Sequence, residues 1–177
     1  MIESTRTHYL ERLKEALSSL ASEGRSAYPE ICLELSRPEV MRQIYRLHVV
    51  DIVERLPNGE STVLEINVAP MATPGTGLPI DAPIAWNGIE FRCYSASFPE
   101  EALSEWAERW ITDESPPMGP QDGLTGIIHS ITEPVLRDSD MEFSVDFGSA
   151  PIAAFEELTE LLGSSLRSIG SYSLVAT

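Results

Sequence analysis

A chain of 177 residues with 42% apolar composition can bury a core of its own, and it fits one domain better than two. Its 12 basic and 28 acidic residues give a net charge of −16, which disfavours nucleic acid and anionic membranes as partners. No run approaches the roughly 18 apolar residues of a membrane span, and the N-terminus lacks the basic-then-apolar order of a secretory signal, so a cytoplasmic protein is expected.

The charge is unevenly placed. Met1 to Arg55 holds 8 basic and 9 acidic residues, whereas Leu56 to Thr177 holds 4 and 19. Nearly all the negative charge thus lies in the last two thirds, where it would steer a basic partner. The two cysteines, Cys32 and Cys93, have no CxxC or Cys/His neighbour and are expected to be reduced core thiols.

In chain order, Leu10, Leu13, Leu17 and Leu20 repeat at helical spacing behind a Ser4 or Thr5 cap, and Gly24 ends the helix. Ile31 to Leu35 is a short alternating run. Ser36-Arg37-Pro38-Glu39 matches a capping box and predicts a short helix through Ile44. Leu47 to Arg55 and Thr62 to Val68 flank Asn58-Gly59 and read as a β-hairpin, because both turn residues tolerate positive φ. Ala69 to Pro83, with four prolines and two glycines, has no period and is a candidate contact loop, in which Met71 and Pro74 are the residues singled out.

A second Asn-Gly, at Asn87-Gly88, predicts another hairpin, between Ile84 to Trp86 and Ile89 to Tyr94. Leu103, Trp106, Ala107, Trp110 and Ile111 then form an apolar helical stripe after the capping-box form Ser97-Phe98-Pro99-Glu100, with Glu105 and Glu108 on the opposite side. Asp113 and Glu114 lead into a second proline-rich loop. Leu124 to Leu136 reads as a strand broken by Pro134.

Met141, Phe143, Val145 and Phe147 alternate as a strand with one buried face. After Gly148, Ile152, Phe155, Leu158, Leu161 and Leu162 take helical spacing, closed by Gly163. Leu166 to Tyr172 returns as a strand, so the C-terminal unit reads βαβ. The class is α+β: a mostly antiparallel sheet of hairpins, three or four helices and this terminal unit.

No motif for catalysis, nucleotide binding or metal stands in the chain, and no cofactor is expected. The three histidines are isolated, and His129 and Ser130, as strand neighbours, point to opposite faces. Asp138, Asp140 and Glu142 lack the glycine and distal glutamate of a calcium loop. They read better as a surface: Asp140, Glu142, Ser144 and Asp146 share one side of a strand as a carboxylate row.

The expected function is therefore non-enzymatic binding of a basic protein, a toxin or secreted effector, by Asp138, Asp140, Glu142, Asp146, Glu105, Glu108, Asp113, Glu114, Met71 and Pro74. Immunity proteins, which cap a toxin, and acidic secretion chaperones offer an analogy of size and charge alone. Both monomer and homodimer fit. The competing expectation is a small enzyme or ligand-binding domain, with Trp86, Trp106 or Trp110 walling a pocket beside helix Phe98 to Ile111.

Overall fold

The computed structural model describes residues 2–36, 41–112 and 124–171. The order is α1 (Ile2–Ser22), β1 (Ser26–Glu34), β2 (Leu47–Arg55), β3 (Ser61–Leu64), β4 (Ile89–Tyr94), α2 (Glu100–Ile111), β5 (Ser130–Ile131), β6 (Val135–Arg137), β7 (Asp140–Asp146), α3 (Ile152–Leu162) and β8 (Leu166–Gly170). These form an α+β fold with two antiparallel sheets, one of three strands in the order β1-β2-β3 and one of five, β5-β7-β4-β8, with β6 also on β7.

The first Asn-Gly makes the expected hairpin. The Leu56 amide donates to Glu60 O at 2.8 Å, and β2 and β3 pair through Ile52 and Leu64. The second does not: Gly88 N closes a turn on Ala85 O, but Ile84 bridges Met71 instead of β4, and Trp86 O accepts from the Phe147 amide. The turn chemistry is local, whereas the pairing partner is chosen by the core, into which Trp86 is fully buried. Part of the helix expected after Ser36 lies outside the described residues; Gln43–Arg46 is a short 3-10 turn.

The terminal unit has the anticipated strand–helix–strand order. β7 and β8 both run antiparallel to β4, which lies between them, so they are parallel to each other but not neighbours. β5 and β6 both pair with β7, on either side of Pro134, which cannot donate to a ladder. Gly163 ends α3 at φ 46°, where a Cβ would be strained.

One face of the five-stranded sheet, Ile89, Phe91, Cys93, Phe143 and Val145, is buried. Phe155 of α3 approaches Phe91, Phe147 and Trp86, and Trp106 of α2 meets Phe147. Trp86, Trp106 and Trp110 are all core side chains, none more than 1% exposed, so the expected tryptophan-walled pocket gives way to packing. Of the cysteines Cys93 is in this core, but Cys32 is exposed on β1.

β2 is buried from Val49 through Ile52, and consecutive strand residues face opposite ways, so both its faces are covered. Among the described residues, the backbone bond between the sheets runs through His129. His129 O accepts from the Val49 amide of β2 at 2.7 Å, and His129 N donates to Asp146 O of β7 at 2.8 Å.

Candidate functional site

The carboxylate row on β7 exists as a register but not as an open acidic strip. Asp140 is buried and takes Arg167 Nη1 on Oδ2 at 2.5 Å. Glu142 is bracketed by Arg92 at 3.1 Å and Arg137 at 3.3 Å, from the strands paired on its two sides. The Ser144 amide donates to Thr132 Oγ1, and Asp146 is half-buried beside the join between the sheets. Alternation alone shows which side a residue faces, not which arginines the neighbouring strands bring to it.

The remaining site candidates are dispersed. Asp138 is exposed in the β6–β7 turn at φ 57°, and with Asp140, Glu142 and the three arginines it lines a groove of about 670 Å³. Met71 is half-buried at the neck of the proline loop, where its amide donates to Ile84 O, and exposed Pro74 lines a groove of about 390 Å³ within that loop. Glu105 and Glu108 are exposed on α2, across the sheet from the paired row. Asp113 and Glu114 lie outside the described residues.

A different cluster forms at the join. Glu30 of β1 stands directly across from Asp51 of β2, between the pairs Pro29 with Ile52 and Ile31 with Val50. Both side chains are buried and turn toward one imidazole. Glu30 sits at φ 53°, a strained conformation for a residue with a Cβ, and is the one buried residue of β1.

His129 lies between the two acids. Its Nε2 is 3.1 Å from Glu30 Oε1, and its Nδ1 is 3.0 Å from Asp51 Oδ1, though off the line of a well-formed hydrogen bond. The Tyr9 hydroxyl of α1 donates to Asp51 Oδ1, and the Ile66 amide donates to Oδ2 at 2.5 Å. Glu30 accepts from Ser149 Oγ and from both the amide and the hydroxyl of Thr125. Gly148 roofs the imidazole, for a Cβ there would come within 2.0 Å of His129 Cδ2.

The electrostatics follow from this packing. Burial works against a charged His129, but its contacts with Asp51 and Glu30 prevail and push it up to about 10. Burial likewise opposes ionisation of Glu30 and Asp51, yet both are held below the usual carboxylate range. For Glu30 the cause is His129, then Ser149 and Thr125; for Asp51 it is His129, then Tyr9 and the Ile66 amide. Asp146 goes the other way. Withdrawal from water carries it up to about 7; His129 and the Gly148 amide resist, and Asp51 and Glu65 add to the rise.

At neutral pH the centre is thus an imidazolium between two carboxylates. Such a group, held between two acids, keeps its proton near neutrality. The side chains of His129, Glu30 and Asp51 are 0%, 1% and 2% exposed, so no substrate reaches them in this conformation. Among the described residues no group of three or more His, Cys, Asp or Glu is arranged to hold a metal ion, and no helix is long and apolar enough to cross a membrane.

No family model, characterised protein or solved structure matches this chain.

Tyr9, Glu30 and Asp51 did not stand out in the sequence as parts of a site, and His129 stood out only for its neighbour Ser130. A signal was present: Asp51 interrupts Val49-Val50-Asp51-Ile52-Val53, and His129 interrupts Ile127-Ile128-His129-Ser130-Ile131. A titratable residue inside a β-branched run must find a buried partner.

Proposed function

We propose that this chain is a non-enzymatic, cytoplasmic acidic protein that binds a basic protein partner, of the kind an immunity protein or antitoxin neutralises. The observation that carries the reading is the helical layer. Glu101, Glu105 and Glu108 of α2, with Glu156 and Glu160 of α3, stand exposed on two helices that pack together. Arg109 is the one basic residue in either helix, and it is engaged by Glu157 at 3.0 Å. Unlike the β7 row, this face keeps its negative charge for a partner, and complementary charge speeds encounter more than it tightens the final complex.

The buried imidazolium supports the same reading, since the most chemistry-bearing cluster among the described residues is sealed and protonated. A secretion-chaperone role would use the same face and differ only in the partner's identity.

The test is retention of a basic protein from the native host by the immobilised chain at low and high salt. Retention should fall with ionic strength and should be lost in Glu105→Lys/Glu108→Lys. Glu142→Gln, at an already paired carboxylate, should retain the partner as the wild type does. Retention that is indifferent to salt, or equal in the double lysine variant, would remove the basis for the proposal.

A further inference from the structure

Among the described residues, the backbone hydrogen bond between the two sheets runs through His129, and this join is surrounded by ionisable groups. The His129 backbone bonds Val49 on one side and Asp146 on the other, while its ring lies between Asp51 and Glu30. We propose that this join is a proton-operated latch, in which ionisation of the Asp146 carboxyl loosens the hold of the three-stranded sheet on the five-stranded one.

The geometry singles out Asp146. Both imidazole nitrogens are already turned to other acids, Asp51 and Glu30, so the ring has no N–H left for a third carboxylate. Among the described residues, Oδ1 of Asp146 accepts the Gly148 amide, at 2.9 Å. The charged and titratable groups around it are His129, Asp51 and His48 from β2, Tyr9 from α1, Glu30 from β1, and Glu65 just beyond β3. His48 is itself engaged by Glu65 at 3.1 Å, and Arg6 of α1 is turned to the Ala150 and Ser149 carbonyls. One imidazolium therefore faces two carboxylates and leaves the cluster one negative charge in excess, to which an ionised Asp146 would add a second.

The direction of the effect follows from linkage. Asp146 binds its proton more tightly when folded, up to about 7 against the ordinary 3.8. Its favourable contribution is therefore complete below the ordinary value and is lost as pH rises through the folded one. The latch is firm in mildly acid solution and slackens across neutrality. His129 remains protonated over this range, so Asp146 is the trigger and His129 the bolt.

The experiment is amide hydrogen exchange at Val49, whose N–H is the bond across the join, in the wild type and in Asp146→Asn. The asparagine keeps the Oδ1 acceptor for Gly148 and cannot ionise. After correction for intrinsic rates, wild-type protection should drop by at least about tenfold from mildly acid to mildly alkaline buffer, as expected when a pKa moves by more than one unit. Protection in Asp146→Asn should stay level. A level wild-type profile, or the same drop in both proteins, overturns the latch. An NMR titration of the Asp146 carboxyl carbon gives an independent reading: a midpoint near neutrality supports the latch, and one in the ordinary carboxylate range defeats it.

Discussion

Gly148→Ala is the sharpest perturbation of the buried centre. An added Cβ would lie 2.0 Å from His129 Cδ2, 2.3 Å from Nε2 and 2.5 Å from Cγ, whereas ordinary contact begins at 3.4 Å. The ring would have to retreat by about 1.4 Å, the difference between 3.4 and 2.0 Å. It cannot do so while Nε2 keeps Glu30 at 3.1 Å and Nδ1 keeps Asp51 at 3.0 Å. Breaking a buried charge pair costs roughly 3 to 5 kcal/mol. The left-handed backbone at Gly148, φ 46°, adds about 1 kcal/mol for any residue with a Cβ. A total of about 4 to 6 kcal/mol rivals the whole stability of a marginal domain and corresponds to a fall in Tm of roughly 10 to 20 °C. Gly59→Ala is the matched control, because Gly59 also has positive φ, 88°, but nothing within 4 Å of its would-be Cβ. Urea unfolding followed by far-UV circular dichroism would measure both. If the two alanines cost the same, the backbone accounts for everything and the packed imidazole for nothing, and the reasoning fails.

Two further perturbations probe the same cluster. Tyr9→Phe removes the hydroxyl that Asp51 Oδ1 accepts and should cost roughly 1 to 3 kcal/mol in urea unfolding, the usual penalty for a buried acceptor losing a donor. Its m-value should not change. Glu30→Gln should reduce the alkaline loss of stability. Because His129 is raised when folded, its contribution is complete below its ordinary value of 6.5 and disappears as pH climbs through about 10. Removing one of the two acids brings the folded value down and shrinks that loss. Stability against pH for wild type and variant, with the His129 ring followed by NMR, should show both changes; superimposable alkaline limbs would refute the assignment.

Much of the fold could be read from the sequence because it rests on local signals. The period-2 run from Met141 to Phe147, the stripe from Ile152 to Leu162 and the glycine that closes it each act within a few residues, and the structure places β7, α3 and the Gly163 cap there. The structure departs from the sequence expectation where distance along the chain decides. Asn87-Gly88 turns as its chemistry requires, but Ile84 pairs with Met71 because Trp86 must enter the core. The acidic row on β7 is visible in the sequence, yet Arg92, Arg137 and Arg167, which neutralise Asp140 and Glu142, come from β4, β6 and β8. The buried centre draws on Glu30, Asp51 and His129, which are 99 residues apart at the extremes. No window of sequence contains it.

The placement of charge across the molecule bears on the proposed binding of a basic partner. A strongly acidic chain need not be acidic everywhere, and here all four basic residues of the last two thirds are committed to carboxylates: Arg92 and Arg137 to Glu142, Arg109 to Glu157, Arg167 to Asp140. Three of these four cations lie on the open sheet face. The excess of negative charge is therefore displaced toward the helical layer, where a single arginine stands among the glutamates of α2 and α3. Exposed pairs contribute little to stability, so their clustering on the sheet matters more for the field it leaves behind than for holding the strands. Beyond the Debye length a basic partner is largely screened from either side, and within about 10 Å it distinguishes the two. Charge reversal on α2 should then slow association far more than charge removal on β7, even though both change residues of the same acidic sequence.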